Sequence, residues 1–118
     1  MIDQKYYVTK EVAKLLLEKG FKHKCDFCYD YSGKDILLPT EFLEHKQHIP
    51  APLICEVLDW LDYKKINVSI QMLFTRPVLY YGEAMTYDRR YFTSKKYTSR
   101  EEALNKVILK VLKNKLIN

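Results

Sequence analysis

Cys25-Asp-Phe-Cys28 and His45-Lys-Gln-His48, with sixteen residues between them, approach the Cys2His2 zinc arrangement. Zinc needs four soft or borderline ligands converging on a tetrahedron, and two ligand pairs bracketing a hairpin can supply them. On a regular strand, however, Cys25 and Cys28 point to opposite faces, so chelation needs a tight knuckle. No glycine or proline lies in that stretch to make one. The simpler expectation is two structural cysteines and two surface histidines, and zinc is the only cofactor the sequence suggests. A redox role would place the CxxC at a helix N-terminus, where the dipole lowers the thiol pKa; a strand is expected here. Cys55 falls inside an expected helix and reads as a small buried apolar residue.

A second constellation lies further along. Tyr80, Tyr81, Tyr87, Tyr91 and Phe92 interleave with Arg76, Arg89, Arg90, Lys95 and Lys96. Aromatic faces that stack bases beside cations that hold phosphates are what single-stranded nucleic-acid binding requires. The candidate contact residues are Arg76, Tyr80, Arg89, Arg90, Tyr91, Lys95 and Lys96, with Lys106, Lys110 and Lys113 as a further basic stripe. The competing expectation is that half of the tyrosines pack under helices and the cations solubilise turns. Catalytic signatures are lacking: three glycines make no phosphate-cradling loop, and neither GxSxG nor HExxH occurs. The expectation is a protein without enzymatic activity.

Composition sets the frame for both constellations. A chain of 118 residues with 47% hydrophobic and 30% charged residues is expected to form one domain, residues 1–118. No apolar run approaches the ~20 residues of a membrane span, and the opening residues lack a signal-peptide pattern. An odd number of cysteines argues against a disulfide framework, so a cytosolic location is expected. The net charge of +5 is unevenly spread. Residues 25–62 carry two basic groups against eight acidic ones, whereas residues 95–118 carry seven basic against two. Such faces suit charged partners or simply solvent.

The elements that must position these groups are legible in outline. Thr9 is an N-cap for a helix whose inner face is Val12, Ala13, Leu16 and Leu17, ended by Gly20. Alternating Phe27, Tyr29 and Tyr31 predict a strand, Ser32–Asp35 a turn, and Ile36–Leu38 a short return strand. Residues 39–52 are poorly patterned. Leu53, Ile54, Val57, Leu58 and Leu61 predict a central helix entered through Pro50 and Pro52. Val68, Ile70, Met72 and Phe74 then alternate as a half-buried strand. Strands over Val78–Thr86 and Tyr91–Thr93 follow. Ser99-Arg-Glu-Glu102 is a capping-box start for a last helix with Leu104, Val107, Ile108, Val111 and Leu112 on one side.

Ala51-Pro-Leu-Ile, Val57-Leu-Asp-Trp-Leu61, Ile66-Asn-Val-Ser-Ile70 and Tyr97-Thr-Ser-Arg-Glu-Glu-Ala-Leu104 carry a resemblance, and so does the opening helix Val12–Phe21. With them the chain resembles a family of short proteins from gut Bacteroidetes-type bacteria and their phages or prophages. The resemblance implies an α+β domain of no assigned activity and supplies no site residues. From the residues themselves, the expected fold is α+β, with three helices packed on one face of a small antiparallel sheet of about four to five strands. The expected function is a non-catalytic interaction module of mobile-element or accessory type, with a protein partner or homo-oligomer and no membrane contact. The alternative is a nucleic-acid-binding protein using the Tyr/Arg-bearing sheet and the basic last helix.

Overall fold

The computed structural model describes residues 3–22, 24–30, 35–40 and 48–114. A 3-10 turn at Gln4–Tyr6 leads into helix α1, Lys10–Glu18. The Thr9 hydroxyl accepts from the Val12 N–H at 3.4 Å, satisfying one of the orphan donors of the first turn. Gly20, at φ +85°, takes the left-handed conformation that ends the helix. That reversal lets the Phe21 N–H reach the Leu16 carbonyl at 3.0 Å and brings its ring edge-on to Trp60, with centroids 5.3 Å apart. Val12, Ala13 and Leu16 are buried as expected, but Leu17 is half exposed. It lies about 100° around the helix from Leu16, beyond the edge of the buried stripe.

Strands β1 (Phe27–Asp30), β2 (Leu38–Pro39) and β3 (His48–Pro50) form one antiparallel sheet in the order β2-β1-β3. Helix α2 (Ile54–Tyr63) leads into strands β4 (Ile66–Leu73), β5 (Leu79–Thr86) and β6 (Tyr91–Thr93), which form a second antiparallel sheet in the order β4-β5-β6. Helix α3, Arg100–Lys113, closes the described chain. Among the described residues the fold is therefore α+β with three helices, and the expected single sheet of four to five strands is instead two sheets of three. Both edges of β1 are occupied, and β3 ends at Pro50, where the chain turns away through Pro52 into α2 before another strand can add. Strand β3 lies in the stretch without a sequence pattern, and Tyr31 with part of the expected turn lies outside the described residues.

Pro50 and Pro52 precede α2 and do not lie in its first turn. The first turn is served instead by Glu56, whose carboxylate accepts from the Leu53 N–H at 2.9 Å. Ile54, Val57 and Leu61 form the buried stripe. Cys55, expected to be buried, is exposed, because it sits one position around from Ile54 on the solvent side. Strand β4 ends at Leu73, so Phe74 falls outside the alternation and is 88% exposed.

The helices are shared between the sheets. Helix α3 lies across β5 with β4 and β6 to either side, α2 packs on β4, and α1 packs on α3 and β3. Ser99 caps α3 by accepting from the Glu102 N–H at 3.2 Å. Val107, Ile108, Val111 and Leu112 are fully buried; Leu104 is only half buried. Asn105 is buried among them. Its side-chain oxygen accepts from the Thr9 N–H at 2.9 Å and its amide donates to the Glu101 carbonyl at 3.1 Å, which ties the start of α1 to α3. No helix among the described residues is long and apolar enough to cross a membrane.

Candidate interaction surface

Alternation along β5 divides two chemically different faces. Gly82, Ala84 and Thr86 are buried towards α3; a Cβ on Gly82 would lie 2.5 Å from Val107 Cγ1. By parity, Tyr81, Glu83 and Met85 project from the opposite side. Register places Gln71, Ser69 and Asn67 of β4 opposite them, and Thr93 and Tyr91 of β6 opposite Glu83 and Met85. Helices α2 and α3 lie on the other side of this sheet. Among the described residues this second face is open, with Met85 and Tyr91 both 52% exposed.

Glu83 stands at its centre. Tyr81, two residues along β5, and Tyr91, diagonal across the ladder, stand on either side of it on the same face. Both phenols are held above their ordinary pKa, by desolvation first and by the carboxylate charge beside it. At one end Lys95 and Lys96 border a recess shared with Leu73, Tyr81 and Thr93. At the other, Lys65 and Tyr87 close a recess lined by Asn67, Ser69, Met85 and Tyr91. The face is amphipathic, with aromatic and apolar groups around the Glu83 carboxylate, Lys95 and Lys96 at one margin and Lys65 with Asp62 at the other.

The residues singled out for nucleic-acid binding are only partly brought together. Tyr91, Lys95 and Lys96 border the open face. Tyr80 does not: it shares the parity of Gly82, and its ring lies beneath the Arg100 guanidinium, 5.4 Å from the centroid. Its backbone pairs with Tyr97 in both directions. Arg76 lies in the β4–β5 turn and Arg89 and Arg90 in the β5–β6 turn. The 8 residues of β5 separate these turns, roughly 25 Å of extended chain. Arg90 is paired with Asp88 at 3.0 Å. The Thr86 hydroxyl also bonds Asp88 and, ahead of Arg90, holds its carboxyl below the ordinary range. Of the helical lysines, Lys110 donates to the Thr93 carbonyl at 2.9 Å and Lys113 pairs with Glu11 at 3.2 Å. Tyr81 is among the interleaved aromatics of the sequence but not its candidate contacts, and Glu83 and Met85 are in neither, although side-chain parity along β5 places all three on one face.

The proposed zinc ligands lie in the first sheet. Cys28 is fully buried on β1, its thiol directed to the Leu38 carbonyl at 3.6 Å. Cys25 precedes the strand, and burial, then the Glu56 charge, pushes its thiol up to about 11. Burial raises Cys28 as well, so both thiols are disposed to keep their protons, whereas zinc binds thiolates. His48 stands opposite Asp30 on β3, two pairs removed from the Cys28–Pro50 pair, and His45 lies outside the described residues. Among the described residues no three Cys, His, Asp or Glu side chains converge as a metal cluster.

A scan of protein-family models finds no match to this chain, and neither the curated proteins nor the solved structures yield one.

Proposed function

We propose that this protein is a non-catalytic interaction module whose contact surface is the open face of the β4-β5-β6 sheet. The observation that carries the reading is the Tyr81–Glu83–Tyr91 group, with Met85 and Leu73 beside it, on a face no described helix covers. Tyrosine supplies large, stiff contact area at low entropic cost and keeps a polar tip, which suits recognition of another protein. A central carboxylate flanked by two phenols favours a partner that brings a cation or hydrogen-bond donors to the middle of the contact. The assignment to a mobile-element or accessory protein of the cytosol rests on the sequence resemblance and the cysteine content.

Met85→Asp with Tyr91→Asp is expected to cut recovery of the native partner from a source-organism lysate by about tenfold or more, with the melting temperature little changed. Recovery of the same proteins in the same amounts by the doubly substituted chain would sink this surface.

A nucleic-acid reading draws on Lys95, Lys96, Arg89 and Arg90 at the two ends of the same face. Glu83 opposes it, because a carboxylate at the centre repels a phosphate chain laid across it. A labelled single-stranded oligonucleotide is expected to bind no tighter than non-specific contact, on the order of 10–100 µM at physiological salt. Tighter binding that falls steeply with salt and weakens in Arg89→Ala with Arg90→Ala would replace the first reading.

A further inference from the structure

Strand β4 is an edge, and it lacks the devices that usually keep edges from pairing. Such strands are normally short, bulged, or armed with proline or charge. Here the β4–β5 register runs through 8 residues from Ile66↔Thr86 to Leu73↔Leu79 without a bulge. From Ile66 to Thr75 there is neither a charged residue nor a proline, in a chain that is 30% charged.

The hydrogen-bonding direction of each β4 residue follows from its neighbours. The Thr86 N–H donates to the Arg90 carbonyl, the Gly82 carbonyl accepts from Ser94, and Tyr80 pairs with Tyr97, so these β5 residues bond towards the β6 side. The Tyr87 N–H donates to the Lys65 carbonyl, so the odd-numbered positions bond towards β4. With the register above, the N–H and C=O groups of Ile66, Val68, Ile70 and Met72 point away from the sheet. No other described strand pairs with that edge.

We infer that β4 pairs antiparallel with β4 of a second copy about a two-fold axis at Ser69, joining the two β4-β5-β6 sheets into one. This register satisfies all four outward-pointing residues at once: Ile66 pairs with Met72 of the other copy, and Val68 with Ile70. Those apolar pairs lie on the helix side. On the open side Asn67 meets Gln71 and Ser69 meets its own counterpart, so polar groups face polar groups and no like charges oppose. Sliding the register by two residues either way leaves an outward-facing residue unpaired. Association through the open faces is the poorer self-contact, because it sets Glu83 near Glu83 of the other copy. The inference gives the interaction module a partner at an edge distinct from its open face, so the two readings fail separately.

Sedimentation or light scattering of the full chain at concentrations up to about 100 µM is expected to show a dimer. Ser69→Lys sets two ammonium groups across the closest pair of the ladder, where Cβ atoms are about 4.5–5.5 Å apart, and should weaken the dimer by roughly tenfold or more. Mixing Ser69→Lys with Ser69→Glu should restore it as a heterodimer. Ile70→Pro removes an outward N–H without touching the β4–β5 ladder and should also favour monomer, with circular dichroism reporting that both variants fold. Met85→Asp should leave the dimer intact. A native monomer at the highest concentration, a dimer indifferent to Ser69→Lys and Ile70→Pro, a mixture that fails to reassociate, or a dimer lost on Met85→Asp would each overturn the inference.

Discussion

Gly82→Val is expected to destabilise the protein by about 3 kcal/mol, a fall of roughly 12 °C in melting temperature for a chain of this length. Gly82 is buried on β5 directly beneath α3, and even a single added Cβ would stand 2.5 Å from Val107 Cγ1 and 2.9 Å from the Ala103 carbonyl oxygen. The carbonyl belongs to the helix backbone, so the whole helix must move to make room. Val107 and Ala103 are themselves fully buried, and neither can swing into solvent. Gly82→Ala should show the same effect in smaller measure. Adding Val107→Ala to Gly82→Ala should cost less than the sum of the two single changes, since the truncated side chain vacates the contested space. A Gly82→Val protein that melts like the native one would mean α3 is not pressed onto this face of β5. The assignment of the opposite face as open would then fall with it.

Tyr29→Phe is expected to cost about 1–3 kcal/mol near neutral pH. Tyr29 is buried on β1, and its hydroxyl donates to the Val8 carbonyl at 2.7 Å. Removing that hydroxyl leaves a buried carbonyl without its donor at the junction between the first sheet and the approach to α1. The same site shapes the alkaline limb of stability. Burial, with the Asp35 charge behind it, pushes the Tyr29 phenol from 10.0 up to about 12. The folded chain therefore holds this proton after the unfolded chain has released it. Its contribution is complete below pH 10 and is lost as pH rises towards 12. Cys25, raised from 9.0 to about 11, adds the same trend from about pH 9. Denaturant midpoints measured from pH 8 to pH 11 should fall more steeply for the native chain than for Tyr29→Phe. Parallel curves would show that the phenol titrates alike in both states.

Where the determinants are local, the sequence and the structure agree. Thr9 and Ser99 cap their helices because a hydroxyl needs only the N–H three residues ahead, and Gly20 ends α1 because a left-handed residue is needed there. The long strand β4 declares itself by apolar alternation through Val68, Ile70 and Met72, and β5 follows it across a turn. Shorter or longer-range features did not show. Strand β3 has 3 residues and exists only because β1 offers it an edge; nothing within His48–Pro50 encodes that pairing. Helical spacing puts Leu17 inside and the apolar character of a thiol puts Cys55 there, yet each lies just past the rim of its buried stripe, and the width of a stripe depends on what packs against it.

The candidate surface divides along the same line. Sequence alone determined that Tyr81, Glu83 and Met85 alternate with Tyr80, Gly82 and Ala84, since side chains on a strand point to opposite faces in turn. It also determined that Ile66–Thr75 is uncharged. Which of the two β5 sets would meet a helix was decided only in three dimensions. The absence of a side chain at Gly82 lets Ala103 and Val107 approach the strand, and α3 settles on that side. Tyr80 is drawn under Arg100 as a result, while Tyr81 and Tyr91 are left beside Glu83 on the other face. The free edge of β4 has the same origin: one sheet stops at β4 because the preceding chain entered α2 at Leu53, and a strand that ends a sheet keeps half of its backbone groups unspent.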